Sequence, residues 1–195
     1  MSKYKNEIKT LYIKFKQKYI PIMKIAFGDK ARVGKDTAAT YMITRYGGQR
    51  FSFAENLYKI TNFIQDLCGI PREKDRKLLQ IVGTEWGREK NPDLWLDATL
   101  KKIKEVEDEN VVKNFYITDV RFRNEFDKLK EEGWILIKIK RDTEGKVGGI
   151  EGHASETNDI EDSEWNYVLE NKEIEKFYRD LDNIYVIENL MKVIK

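Results

Sequence analysis

The chain has 195 residues, 41% of them hydrophobic and 36% charged, which suits one globular domain with its own core and excludes a disordered chain. Its 36 basic and 34 acidic side chains leave a formal charge of +2, no footprint for duplex nucleic acid. A single cysteine, Cys68, excludes an internal disulfide, a single histidine, His153, argues against a zinc site, and the absence of a long apolar run or secretory leader points to a cytoplasmic protein with no membrane span.

Residues 3–20 carry six lysines against Glu7, with Ile8, Leu11, Tyr12, Phe15 and Tyr19 at helical spacing. This predicts a basic amphipathic helix ahead of the main fold, either packed on the domain surface or meeting an acidic partner or membrane surface. Residues 21–195 then read as one domain. Residues 22–27 form a first buried strand, and Gly28 to Lys35 a loop. A helix follows from Lys35 to about Arg45, stopped by Gly47 and Gly48. A short strand is expected at 50–53 and a helix from Ala54 to Leu67, ended by Gly69 and Pro71. Further helices are expected from Asp75 to Arg88 and from Asp93 to about Val106. The clearest strand is 115–118, leading into Asp119; a charged helix then runs to Glu132. Residues 134–139 form another strand. Residues 142–160 are polar and glycine-rich, a lid-like loop by composition. Residues 167–169 suggest a last strand before C-terminal helices. Strands alternating with helices predict an α/β fold with a mostly parallel central sheet.

The segment Gly28-Asp29-Lys30-Ala31-Arg32-Val33-Gly34-Lys35-Asp36-Thr37 lies between a predicted strand and a predicted helix, the context a phosphate-binding loop requires. Free N–H groups at a helix N-terminus point at an anion and the helix dipole favours it. Lys35 would reach the β- and γ-phosphates of a triphosphate. The strict pattern has glycine where Asp29 stands and Ser or Thr where Asp36 stands, with Gly28 one place early and Thr37 one place late. The alternative is a plain strand–turn–helix junction.

Four further segments complete a constellation: Phe53-Ala54-Glu55-Asn56-Leu57; Leu79 to Arg88 followed by Asp93-Leu94-Trp95; Ile117-Thr118-Asp119-Val120-Arg121-Phe122-Arg123-Asn124-Glu125; and His153-Ala154-Ser155-Glu156. With Gly34-Lys35-Asp36-Thr37 in front, the chain resembles the deoxynucleoside monophosphate kinases, best known from tailed bacteriophages, over about residues 22–190. The resemblance implies a three-layer αβα P-loop sandwich like that of adenylate kinase. It implies transfer of the γ-phosphoryl group of ATP to a nucleoside monophosphate, with Mg²⁺. Arg32, Gly34, Lys35, Asp36 and Thr37 would hold ATP; Gln80, Gly83, Thr84, Arg88 and Trp95 would form the monophosphate pocket; Asp119, Arg121 and Glu125 would line the site. The family often has lysine where Tyr58 stands, which makes Lys59 the neighbouring candidate. Family members are often dimers.

Elementary chemistry gives the same roles. Phosphoryl transfer needs two anions held in line and their charge offset, and the arginine fork suits phosphate. Asp119 and Arg121 follow a central strand, and ligands of open α/β sheets sit beyond the carboxyl ends of strands. Lys35, Arg32 and Arg121 are the catalytic candidates. Asp36, Thr37 and Asp119 are candidates to hold Mg²⁺ through water; Asp119 is otherwise a helix N-cap for residues 121–132. Arg141, before the polar loop, is a candidate to swing toward ATP, or a solvated strand end. Trp86 and Trp95 read first as core residues, Gly83-Thr84 alternatively as a helix irregularity, and Cys68 as a small buried hydrophobe. Competing readings are a P-loop kinase for another acceptor, of dephospho-coenzyme A or phosphomevalonate type, and a non-catalytic nucleotide-binding module.

Overall fold

The computed structural model describes residues 22–109, 112, 114–141 and 160–194. The basic helix expected over 3–20 and, except for Ile160, the lid-like loop expected over 142–160 with His153 lie outside these residues.

Five short runs rich in β-branched and aromatic residues pair as strands: β1 (Met23–Gly28), β2 (Gln49–Phe51), β3 (Asn114–Val120), β4 (Ile135–Lys140) and β5 (Tyr167–Glu170). They form one sheet in the order β2-β3-β1-β4-β5, and every neighbouring pair is parallel. Parallel strands need crossovers, which the helices supply. These are α1 (Lys35–Tyr46), α2 (Glu55–Leu67), α3 (Arg76–Gln80), α4 (Leu94–Asp108), α5 (Arg123–Glu131) and α6 (Ile174–Ile194).

The strands lack polar alternation because both sheet faces are buried. On one face Met23, Ile25, Phe27, Ile137 and Ile139 meet Ala38 and Met42 of α1 and Phe177 and Leu181 of α6. On the other, Ala26, Phe115, Ile117 and Leu136 meet Trp95 and Ile103 of α4 and Phe126 and Leu129 of α5. The result is a three-layer αβα sandwich with a parallel sheet, as expected. The α1–α6 seam is reinforced by rings: Tyr41 stacks on Tyr178 at 4.0 Å and Tyr46 on Tyr185 at 3.7 Å, while Asp182 accepts from the hydroxyls of Tyr41 and Tyr46.

Three expectations need correction. The helix expected over 75–88 is α3, capped by the Asp75 side chain on the Leu78 amide, followed by a π-helical segment, Ile81–Arg88, which contains the irregularity considered at Gly83-Thr84. A wider helix suits close contact here: a Cβ on Gly83 would lie 2.8 Å from Leu57 Cδ2, and one on Gly87 would lie 2.7 Å from the Trp95 ring. The C-terminal helices are one helix of 21 residues. Cys68, at the exposed C-terminal end of α2, is not buried. No helix among the described residues is long and apolar enough to cross a membrane.

Candidate active site

β1 runs straight into the loop Gly28–Gly34, and the loop into α1. Asp29, Arg32 and Gly34 all have positive φ, at 99°, 65° and 110°. Asp29 thus adopts the backbone conformation that makes glycine the usual residue at its position. Gly34 is required twice over: besides its φ, a Cβ there would sit 2.3 Å from Asn171 Nδ2. The α1 ladder begins with Ala38 N–H donating to the Gly34 carbonyl at 2.9 Å. The amides of the first turn are therefore available to an anion, as at any helix start.

Lys35, only 7% exposed, curls back into the loop and donates from Nζ to the carbonyls of Asp29 at 2.8 Å and Lys30 at 2.5 Å. Burial, helped by the nearby Arg121 guanidinium, pulls its pKa down to about 8, against the opposing pull of Asp29, Asp119 and Asp36. An ammonium shed of water and held by carbonyls is poised to meet a stronger anion.

At the carboxyl end of β3, Asp119 accepts from Ser52 Oγ at 2.7 Å and from the amides of Phe53 and Ala54 at 3.0 Å each. It therefore fixes the chain leading into α2, and does not cap residues 121–132. That cap comes from Glu125, whose Oε2 accepts from the amides of Arg121 at 2.9 Å and Phe122 at 3.1 Å. Its other oxygen, Oε1, accepts from Arg88 Nη2 at 2.6 Å. Arg88 Nη1 donates to the Pro92 carbonyl, and its guanidinium lies 3.6 Å from the centroid of the Phe122 ring. Glu125 is 1% exposed; desolvation pushes its pKa up, opposed by Arg88 and the two amides. Its oxygens are spent on protein donors, so it supports Arg88 and the Arg121 backbone instead of reaching a ligand.

A cleft of about 1230 Å³ opens over these groups. Every site residue expected from the sequence lines it: Arg32, Gly34, Lys35, Asp36, Thr37, Lys59, Gln80, Gly83, Thr84, Arg88, Trp95, Asp119, Arg121, Glu125 and Arg141. Among the described residues ten cationic side chains face it against four carboxylates. Three of those carboxylates are tied to cations: Glu55 to Lys59 at 2.8 Å and Lys102 at 2.7 Å, Asp36 to Arg50 at 3.1 Å, and Glu125 to Arg88. A surplus of cations of this kind suits an anionic ligand. Trp95 is both core and wall, 5% exposed and donating from Nε1 to the Gly83 carbonyl at 2.9 Å. Trp86 is 52% exposed, neither core nor part of the cleft. No cluster of three or more His, Cys, Asp or Glu side chains among the described residues could hold a metal.

No family model matches the chain. It is 32% identical over 173 residues to a protein of Acanthamoeba polyphaga mimivirus named "Putative deoxynucleotide monophosphate kinase", a match covering 76% of this chain and 88% of that protein. The chain belongs to the deoxynucleotide monophosphate kinase family. It is also 33% identical over 136 residues to "Uncharacterized protein ORF77" of Ictalurid herpesvirus 1 (strain Auburn), covering 68% of this chain and 57% of that one. An unliganded sugar kinase from Janibacter sp. HTCC2649 superposes with a TM-score of 0.48 at 16% identity, over 82% of this chain and 92% of its own.

Membership in this kinase family makes the chain a phosphotransferase. The cleft also holds cations that motif reasoning missed: Arg50, Lys74, Arg76 and Lys102. In a chain with 36 basic residues, nothing in their spacing sets them apart. Asn171, which follows β5 and donates to the Val33 carbonyl in the loop before α1, belongs to no motif either: it is a lone asparagine after a strand.

Proposed function

We propose that this protein transfers the γ-phosphoryl group of ATP to a deoxynucleoside monophosphate, giving the diphosphate and ADP. The observation that carries the reading is the shared cleft: the strand–loop–helix around Lys35, the arginine after β3 and the Arg88 pocket all line one cationic cavity.

In this reading the loop and first-turn amides bind the triphosphate, and Lys35 leaves the Asp29 and Lys30 carbonyls for the β- and γ-phosphates. Arg32 and Arg141 offset charge on the donor side. Arg88, braced by Glu125 and Phe122, takes the acceptor phosphate, while Gln80, Thr84 and Trp95 line the acceptor pocket and Lys59 sits at its rim. An acceptor phosphate oxygen attacks the γ-phosphorus as the bond to the β–γ bridging oxygen breaks, and ADP leaves with that electron pair. Arg121, between the two substrates, balances the charge of the transferring group. The protein's part is positioning and charge, with no covalent intermediate.

The donor chemistry suits Mg²⁺, which prefers oxygen ligands and keeps several waters. Asp36 and Thr37 follow Lys35 in the first turn of α1, and Asp119 lies in the same cleft. With both Asp119 oxygens engaged by Ser52, Phe53 and Ala54, its hold on the ion would run through water. The ion, when bound, offsets charge on the phosphates.

A coupled assay of ADP formation with a panel of ribo- and deoxyribonucleoside monophosphates tests the reading. Turnover with a deoxynucleoside monophosphate, lost in Lys35→Ala, is expected. Turnover only with another phosphorylated acceptor, such as dephospho-coenzyme A, or ATP binding without turnover, would replace it.

A further inference from the structure

We propose that Asn171 is a positioning residue for ATP: its carboxamide sets the peptide between Val33 and Gly34, and thereby the shape of the phosphate loop. The inference rests on the reading of that loop as the triphosphate site.

Asn171 directly follows β5, a strand that does not touch β1; β4 lies between them. Its main-chain N–H donates to the Lys140 carbonyl at 2.8 Å, which seats it on the carboxyl end of β4. From there its Nδ2 donates to the Val33 carbonyl at 2.8 Å, in a buried contact. The same Nδ2 occupies the space a side chain at position 34 would need, so the carboxamide and the bare glycine fit face to face. In a trans peptide the N–H points opposite to the C=O. Holding the Val33 carbonyl on Asn171 therefore aims the Gly34 N–H away from Asn171, and Gly34 lines the cleft.

The contact is more than generic packing because the loop it holds is strained. Asp29 and Arg32, on the Val33 side of the contact, both sit at positive φ, a conformation that non-glycine residues keep only when the surroundings impose it. The Lys35 ammonium holds the start of the loop through the Asp29 and Lys30 carbonyls, and Asn171 holds its end through Val33. When Lys35 turns to a triphosphate, the Asn171 contact to Val33 is still in place. A donor lost here leaves a buried carbonyl unsatisfied and frees the peptide to rotate.

The test is isothermal calorimetry of ATP and, separately, of the monophosphate active in the panel above, on wild type and Asn171→Leu. Leucine keeps the branched shape and removes the donor without adding charge. The expected result is ATP affinity lower by roughly tenfold or more, with monophosphate affinity within about twofold of wild type. Equal ATP affinity in the two proteins overturns the proposal and leaves the kinase reading intact. A parallel loss of both affinities, tracking a lower melting temperature, also overturns it, since Asn171 would then be merely structural. Failure of wild type to bind ATP at all sinks the reading of the loop itself. If Asn171→Leu does not fold, Asn171→Ser is judged by the same split.

Discussion

Arg88 and Glu125 form an ion pair of 2.6 Å at the base of the cleft, the arginine 15% and the carboxylate 1% exposed at their side chains. Residues 37 apart in sequence thus bring the π-helical segment and the start of α5 to one point. A buried pair of this kind adds little net stability, but breaking it by removing one partner is costly. Its value here is orientation: the guanidinium is fixed by Glu125, Pro92 and the Phe122 ring before any ligand arrives.

Arg88→Lys should therefore separate charge from geometry. Lysine keeps the positive charge and loses both the fork and the ring contact. Steady-state kinetics should show the KM for the monophosphate rising by roughly tenfold or more, with the KM for ATP nearly unchanged. Equal increases in both constants would place Arg88 outside the acceptor pocket.

The lowered pKa of Lys35 has a definite sign in binding. Below about pH 8 the free enzyme carries the ammonium and ATP affinity is flat with respect to this group. Phosphate contact raises the bound-state pKa, so binding takes up a proton, and affinity falls as pH rises from about 8 toward that higher value. Calorimetry at pH 8 in buffers of differing ionisation enthalpy should register uptake of about half a proton per ATP from this group. Lys35→Arg, which does not titrate in this range, should abolish that uptake.

Asp119→Asn tests the seat of α2. An amide can accept from some of the three donors but must turn its NH₂ toward another. The expected loss is about 1–3 kcal/mol of stability, read by urea denaturation, with a fall in turnover larger than the fall in melting temperature suggests. Wild-type stability would mean the contacts are dispensable.

Gly87→Ala tests the π-helical segment. The new methyl would lie 2.7 Å from the Trp95 ring and 2.9 Å from the Val82 carbonyl, and backbone cannot step aside as a side-chain tip can. Destabilisation of about 1–3 kcal/mol is expected, seen as a lower urea midpoint at unchanged slope.

The fold was legible because its signals are local. Strands β1, β3 and β4 are short, mostly apolar runs, and the loop around Gly34-Lys35 sits where a strand meets a helix. The expected site residues came from resemblance to a family's motifs and all line one cleft, whereas Arg50, Lys74, Arg76 and Lys102 in the same cleft belong to no motif. What was not legible depends on distant pairing. Asp119 could be read as a cap, but the segment it caps lies more than sixty residues earlier in the chain and is reached only because β2 pairs with β3. The π-helical turn sets Gly83 against Leu57 and Gly87 against Trp95, partners that no helical periodicity reveals. Cys68 was expected inside on propensity alone, yet it falls one residue beyond α2, where that helix runs out into solvent.

The ammonium of Lys192 near the end of α6 donates to the carbonyl of Ile22 at 2.7 Å, just ahead of β1. The first strand and last helix of the sandwich therefore meet at the end of the sheet opposite the Gly28–Gly34 loop. In a chain shortened to begin at Ile22, a short linker sewing those two points together would allow the chain to be reopened elsewhere, for instance at the exposed Gly69 turn, giving a circular permutant of the same fold.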